Sequence, residues 1–286
     1  MRNLLIRTAS GIVYVALMVA AVFTQWVAVP LVYFFVLVGI WELYKMYETL
    51  ELKECYPFVN ISAMTLLLAF FFASEMYTLL SSSPQDVLVG NFHFFTPGEC
   101  VMLVLSILGI FLPELICRHE NPVLNIGMGL LSLIWILLPL SILFFVWIPR
   151  QPMLVLAFFI LIWMSDTAAY VFGSLFGKHK LAERISPGKT WEGFLCSCIF
   201  TAGLAVGLSY IPYFQQAGLH LWQWIVMALL VEVFGLMGDL IESIFKRKAG
   251  VKDSGNIIPG HGGVLDRVDS ILFATIPVFL FCLMCG

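Results

Sequence analysis

The chain has 286 residues, of which 61% are hydrophobic and only 12% are charged, and its formal net charge is −3. A soluble domain is about 45–50% apolar and about 25% charged, so one globular core could not bury this excess of apolar side chains. A bilayer suits such a composition, because a spanning helix needs roughly 20 mostly apolar residues. The slightly acidic balance gives no support for nucleic-acid binding, which usually requires a strongly basic domain.

Nine apolar stretches are long enough to be candidate membrane helices. In chain order they cover approximately residues 8–25, 27–47, 57–80, 101–117, 123–147, 153–175, 192–211, 222–241 and 268–285. The third is the weakest, because Glu75 lies near its end. We therefore predict an all-α, polytopic integral membrane protein with about nine transmembrane helices. We expect a single integral domain, 1–286, with N-terminal hydrophobic helices in 1–150 and the polar motifs in 151–286.

The beginning of the chain has a second interpretation. Arg2 and Arg7, followed by the apolar run from Ala9 to Phe23, resemble the n-region and h-region of a secretory signal peptide. No convincing small-residue cleavage site precedes Trp26 and Pro30. We therefore expect the first helix to be retained.

The lysines and arginines are distributed unevenly between the predicted loops. Of the 15 basic residues, 14 fall on one side of a nine-helix arrangement, and Arg150 falls on the other. Because cytoplasmic loops collect lysine and arginine, this asymmetry predicts a cytoplasmic N-terminus and a C-terminus on the outer side. In a bacterium, this membrane would be the inner membrane.

Carboxylates lie inside predicted membrane helices, toward their cytoplasmic ends. Asp166 belongs to the sixth predicted helix and Asp239 to the eighth. A carboxylate in a spanning segment is costly, so its default interpretation is functional. Asp239, Glu242 and Ser243 share one helix face because they are three and four residues apart. Because Asp166 and Asp239 both lie toward the cytoplasmic ends of their helices, we expect these two residues to face one shared polar cavity.

A second acidic pair, Asp266 and Asp269, lies three residues apart at the start of the ninth helix. Clustered carboxylate oxygens suit a hard cation such as Mg²⁺, which binds through one or two carboxylates together with substrate phosphates. The structural alternative is an interhelical ion pair, such as Asp266 with Lys246 or Asp239 with Arg267.

Basic and glycine-rich segments indicate phosphate. Lys189 follows Ser186-Pro187, which is a favourable N-cap and first-turn pair for a helix that begins near Thr190. A helix start offers free N–H groups to an anion, and Lys189 would add a positive charge. The Gly188-Lys189-Thr190 tripeptide is not a P-loop, because Glu183 stands where that motif needs glycine.

The loop before the ninth helix contains Gly260-His261-Gly262-Gly263. Its glycines let backbone N–H groups approach a phosphate closely. His261 has two interpretations, a ligand-binding residue or an ordinary loop histidine. The CxxC formed by Cys282 and Cys285 lies inside an apolar span without a second pair of ligands, so we expect no zinc site or disulfide framework there.

The residues from Ser243 to Asp269 form a long gapped motif. It reads SIFKR, then four residues, then KDSGNIIPGHGGVLDRVD, and it resembles the signature of phosphatidate cytidylyltransferases, also called CDP-diacylglycerol synthases, over all 27 positions. Segments around Asp166, at 176–180, at 186–193 and at 238–243 are also similar to this family. The resemblance covers roughly residues 160–270.

This resemblance implies attack by the phosphate of phosphatidic acid on the α-phosphorus of CTP, with CDP-diacylglycerol and pyrophosphate as products. It implies that Asp239, Asp266 and Asp269 hold Mg²⁺, with a second, monovalent cation such as K⁺ as a further expectation. The catalytic set is then Asp239, Asp266, Asp269, Lys252 and Arg267. The substrate-binding set is Asp166, Lys189, Ser243, Lys246, Arg247, His261, Gly262 and Gly263. The resemblance also suggests a homodimer.

Two other functions fit parts of the pattern. A CTP-dependent lipid kinase of the dolichol kinase type is distantly similar to this family and would transfer the γ-phosphate. An ion-coupled transporter would use the buried aspartates as a cation pathway, but such transporters often have matching repeats with broken helices, and neither is visible in this sequence.

Overall fold

The computed structural model describes residues 2–48, 65, 67–69, 97–116, 121–260 and 262–285. Its helices there are α1 (Arg2–Phe23), α2 (Gln25–Glu48), α3 (Pro97–Ile116), α4 (Pro122–Arg150), α5 (Pro152–Phe176), α6 (Trp191–Ser209), α7 (Pro212–Gln215), α8 (Leu221–Lys248) and α9 (Leu265–Cys285). Two strands, β1 (Lys180–Ala182) and β2 (Ser186–Thr190), form an antiparallel hairpin between α5 and α6. Nearly all of the predicted span 57–80, and also His261, lie outside the described residues.

Six of the described helices are long and apolar enough to cross a membrane, namely α2, α4, α5, α6, α8 and α9. Two further apolar helical stretches, Thr8–Phe23 and Leu103–Ile116, are shorter within the described part of the chain. These observations confirm the helical, multi-pass architecture. The count of nine spans stays a prediction.

Helix α4 is wider than an α-helix in two places. Its π-helical stretches, Ser132–Leu137 and Ile142–Trp147, each end two residues before a proline, Pro139 and Pro149. Proline has no N–H, and its ring collides with the carbonyl four residues earlier in a regular helix. A wider turn accommodates each ring, so α4 continues as one 29-residue segment.

Buried aromatic rings join the N-terminal helices to the C-terminal ones. The ring of Trp147 in α4 lies 5.1 Å from that of Phe158 in α5 and 5.8 Å from that of Phe279 in α9. Phe35 in α2 lies 6.4 Å from Phe144 in α4. Tilted pairs at these distances stabilise a core beyond the effect of buried area alone. The first and last helices therefore share one packed core.

Helices α8 and α9 approach each other closely beside the acidic residues. A Cβ atom on Gly238 of α8 would lie only 2.4 Å from the carbonyl oxygen of Asp269 in α9. No side chain fits this space, because non-bonded atoms cannot approach so closely. Glycine thus brings the two helices together where Asp239 and Asp269 lie.

The predicted N-cap of α6 is wrong. Ser186 and Pro187 are not its N-cap and first turn, because both lie in strand β2. The hairpin pairs Lys180 with Thr190, so the chain stays extended up to that residue. Thr190 is the N-cap, and its Oγ1 accepts a hydrogen bond from the N–H of Gly193 at 3.2 Å. The prediction that the helix begins near Thr190 is confirmed.

Replacing Gly238 by alanine should lower the thermal stability of the detergent-purified protein. The added methyl group forces α8 and α9 apart, and overpacking of this kind commonly costs about 1–3 kcal/mol. Gly203→Ala is the matched control in α6, because its Cβ would meet no atom within 4 Å. That variant should keep its stability or gain about 0.5–1 kcal/mol. Equal melting temperatures for the two variants would contradict the close approach at Gly238.

Candidate functional site

A polar cavity of about 500 Å³ opens between α5, α6, α8 and α9, beside the β-hairpin and the loop of residues 249–264. Its lining includes residues that the sequence predicts for the site, namely Asp166, Lys189, Asp239, Lys246, Asp266, Arg267 and Asp269. Asp253, Glu232 and Glu242 also line it. The structure therefore gathers charges of both signs from three helices, α5, α8 and α9, and from two connecting segments at one place.

Lys246 links α8 to the start of α9. Its Nζ lies 2.6 Å from Glu242 Oε2 and 2.6 Å from Asp266 Oδ1. The side chain of Glu242 is fully buried, and its Oε1 has no hydrogen-bond partner among the described residues. The ion pair between Asp266 and Lys246, which the sequence offered as the structural alternative, is confirmed. Lys246 therefore contacts two carboxyl groups that are shielded from water.

Asp239 forms a different ion pair from the one considered in the sequence analysis. Its Oδ2 lies 2.5 Å from Lys189 Nζ in strand β2, so its partner is Lys189 and not Arg267. Ser243 Oγ donates to Asp239 Oδ1 at 3.3 Å, which confirms that these two residues share a helix face. The lysine predicted to contact phosphate and the aspartate predicted to hold a cation thus lie against each other.

Asp266 also organises the loop that precedes α9. Its Oδ2 accepts the backbone N–H of Ser254 at 2.9 Å, the N–H of Gly263 at 2.8 Å and the Ser254 hydroxyl at 3.0 Å. Gly262 adopts a φ of 83°, which favours glycine, and its carbonyl accepts the N–H of Ile258 at 3.0 Å. The N–H of Gly263, predicted to approach phosphate, is thus donated to Asp266 at the start of α9.

The remaining predicted residues that the structure describes lie outside the lining of this cavity. Lys252 lines a second cavity of about 510 Å³ in the loop, together with Gly262 and Arg267. Arg247 donates to the carbonyl of Ile185 at 3.3 Å and to that of Val251 at 3.4 Å. Arg247 therefore ties the hairpin to the α8–α9 loop, so both polar connections lie at the same end of the helices.

Two buried glutamates near the site were not predicted. Glu232 in α8 lines the cavity and accepts the hydroxyls of Ser197 and Thr201 at 2.9 and 2.5 Å. Glu42 in α2 accepts hydrogen bonds from the start of α9. The available signal was the one used for Asp166, a carboxylate inside an apolar predicted span.

Glu192, the first acidic residue of α6, positions the turn that follows α5. Its carboxylate accepts the backbone N–H of Lys178 at 3.0 Å and that of His179 at 3.1 Å. It also contacts His179 Nδ1 at 2.5 Å. The hairpin that carries Lys189 is therefore fixed at its beginning by the same helix that follows it.

The side chains of the cavity fit a hard divalent cation in their chemistry. They offer carboxylate oxygens, which Mg²⁺ prefers, and one of these oxygens, Glu242 Oε1, is buried without a donor. Within the described ranges, no three His, Cys, Asp or Glu side chains form a ready-made metal site. The ion pairs account for this, because Lys189 and Lys246 each contact a carboxylate oxygen that could otherwise bind a cation.

Replacing Lys246 by methionine should destabilise the folded protein strongly. The change keeps much of the side-chain volume but leaves Glu242 and Asp266 without their shared cation. Removing one partner of a buried ion pair typically costs about 3–5 kcal/mol. Lys248→Met is the matched control on the same helix, since Lys248 is exposed. Thermal unfolding in detergent should separate the two variants, and equal stability would show that Lys246 is not the compensating charge.

Residues 5–285 of the chain match the family described as "Cytidylyltransferase family". Curated relatives named phosphatidate cytidylyltransferase, from Staphylococcus haemolyticus (strain JCSC1435) and Staphylococcus aureus (strain COL), are each 49% identical over 115 residues, covering 40% of this chain and 43% of the relative. A relative of the same name from Staphylococcus epidermidis (strain ATCC 35984) is 46% identical over 119 residues, with the same coverage. The aligned part is thus less than half of each relative's length. Because the family match spans nearly the whole sequence, the chain belongs to the cytidylyltransferase family.

Proposed function

We propose that this protein is a phosphatidate cytidylyltransferase, which transfers CMP from CTP to phosphatidic acid and forms CDP-diacylglycerol and pyrophosphate. The observation that carries the proposal is the cavity, where Lys189, Lys246 and Arg267 meet Asp239, Asp266 and Asp269. Family membership and the name shared by the Staphylococcus relatives support the same activity.

The charges of the cavity suit this reaction. A nucleoside triphosphate and a lipid phosphate repel each other, and phosphoryl-type transfers depend mainly on positioning and charge neutralisation. Lys189 and Lys246 lie on different elements of the cavity wall, one on strand β2 and one on α8. We propose that substrate phosphates take over these lysines from Asp239 and Asp266, which frees carboxylate oxygens for a cation.

The bond changes need no general base. An oxygen of the lipid phosphate, already ionised at neutral pH, attacks the α-phosphorus of CTP. The bond from that phosphorus to the oxygen that bridges it to the β-phosphorus breaks, and pyrophosphate leaves with the electron pair. Arg267 lines both the cavity between the helices and the second cavity in the loop before α9, so its guanidinium can contact a phosphate in either one. Asp166, also in the wall, is proposed to face the substrates.

We propose Mg²⁺ as the cofactor, held by Asp239, Asp266 and Asp269, with a monovalent cation such as K⁺ as a second ion. The support is the carboxylate-rich lining and the family resemblance. When bound, Mg²⁺ would neutralise negative charge that develops on the phosphates. Removal of divalent cations with EDTA should therefore stop turnover.

The proposed site faces the cytoplasm of a multi-pass membrane protein, in the inner membrane if the source is bacterial. The first support is the distribution of basic residues between the loops. The second is the hydrogen bond from Arg247 to Ile185, which places the basic β-hairpin and the basic α8–α9 connection at the same end of the helices. A homodimer is proposed on the family resemblance alone.

Cysteine labelling tests this orientation. In a cysteine-free variant, Glu183→Cys in the hairpin should react only with a reagent supplied from the cytoplasmic side. Gln216→Cys, between α6 and α8, should react only from the outer side, because one membrane helix separates the two positions. Reaction of Glu183→Cys from outside in intact cells would overturn the proposed orientation.

Isotope placement tests the reaction itself. With phosphatidic acid, Mg²⁺ and CTP labelled at the α-phosphate, purified protein should produce labelled lipid, because the CMP unit is transferred. CTP labelled at the γ-phosphate should yield labelled pyrophosphate and unlabelled lipid. Thin-layer chromatography separates these products, and a reaction without phosphatidic acid is the control. Transfer of the γ-label into lipid would identify a CTP-dependent lipid kinase instead.

A further inference from the structure

Glu42 in α2 is a buried carboxylate that contacts a distant part of the chain. It is 1% exposed. Its Oε1 accepts the backbone N–H of Val264 at 3.0 Å, and its Oε2 accepts that of Leu265 at 2.9 Å. The hydroxyl of Ser254 lies 3.1 Å from the same Oε2. All three partners are more than 200 residues away in sequence and lie in or next to the loop that precedes α9.

These contacts replace a local helix cap. The first N–H groups of any helix have no partner inside it, and a short polar side chain just before the helix normally accepts one of them. At the start of α9 a carboxylate from α2 accepts two, and its negative charge also complements the helix dipole. The backbone of Leu265 is thereby fixed, and Asp266 and Arg267 follow it directly.

The loop is shaped to admit this carboxylate. A Cβ on Gly255 would lie 2.3 Å from Glu42 Oε1. A Cβ on Gly263 would lie 1.9 Å from Ser254 Oγ and 2.6 Å from Glu42 Oε2. Gly255 is therefore required for packing against Glu42, and Gly263 for packing against both Ser254 and Glu42, and neither requirement involves a phosphate.

Ser254 joins Glu42 to the site. Its hydroxyl lies 3.1 Å from Glu42 Oε2 and 3.0 Å from Asp266 Oδ2, so one hydroxyl hydrogen is shared between the two carboxylates. Asp266 lines the cavity and forms the ion pair with Lys246. A displacement of Glu42 is thus passed to Asp266 through one side chain and one backbone turn.

We propose that Glu42 is a positioning residue for the cytidylyl transfer. It orders the loop and the start of α9, and so determines where Asp266 and Arg267 point, although it does not belong to the described lining of the cavity. The kinetic part of this inference rests on the proposed function. The structural part, that Glu42 orders residues 254–265, does not.

The test compares Glu42→Gln with the wild type and with Glu183→Gln, an exposed hairpin glutamate that serves as the charge-matched control. The amide keeps the size of the side chain but presents an NH₂ group to one of the two N–H donors. Hydrogen–deuterium exchange should rise in residues 254–265 of Glu42→Gln and stay unchanged in the β-hairpin. The kcat should fall about 10- to 100-fold, because small displacements of catalytic groups have effects of this size. The KM for CTP should change much less than kcat.

Each result decides the proposal. A folded Glu42→Gln protein with wild-type kcat, or with a reduced kcat but unchanged exchange in 254–265, overturns it. If Glu42→Gln does not fold, Gly255→Ala decides instead, since its methyl group displaces the Glu42 carboxylate. It should show the same rise in exchange and fall in kcat, and wild-type behaviour would overturn the proposal. A wild-type protein without CTP-dependent turnover would refute the proposed function, whereas the exchange experiment would still test whether Glu42 orders the loop.

Discussion

Charge compensation away from water is the constraint on which this site depends. Glu242 is fully buried, and Asp266 and Lys246 are nearly so, so each charge needs a partner close by. Lys246 forms ion pairs with both Glu242 and Asp266, and Lys189 forms one with Asp239. Both lysines are therefore already paired with carboxylates before any substrate arrives. An incoming phosphate competes with a carboxylate for each lysine, so anion and cation binding in this cavity are linked to each other.

Much of the site could be predicted from local patterns. Carboxylates in apolar stretches, such as Asp166 and Asp239, marked the helices that form the cavity, and the spacing of Asp266 and Asp269 placed both on one side. The pair of Asp266 with Lys246 was also foreseen as an alternative. These predictions succeeded because they depend on helical periodicity and on the cost of isolated charge, both of which a sequence displays directly.

Other features depend on contacts between distant residues. The hairpin that carries Lys189 was missed because its strands have only three and five residues, and Ser186-Pro187 has the chemistry of a helix start. Thr190, and not Ser186, is the N-cap because strand pairing holds the residues before the helix in an extended conformation. Glu42 was missed although it lies in an apolar stretch, since no spacing rule relates position 42 to position 264. Tyr14 likewise donates to the carbonyl of Arg267 at 3.0 Å, so α1 also contacts the start of α9.

The glycines that face Glu42 have a consequence for how such chains can vary. The space beside the carboxylate is occupied on one side by Gly255 and on the other by Gly263. The length of the side chain at position 42 and the permitted size at position 255 are therefore set jointly, whereas Ser254 Oγ also restricts position 263. A shorter residue at 42 would open room for a methyl group at 255, but would leave the N–H groups of Val264 and Leu265 without their acceptor. Sequence drift at positions 42 and 255 is thus expected to be correlated, although the two lie in different parts of the chain.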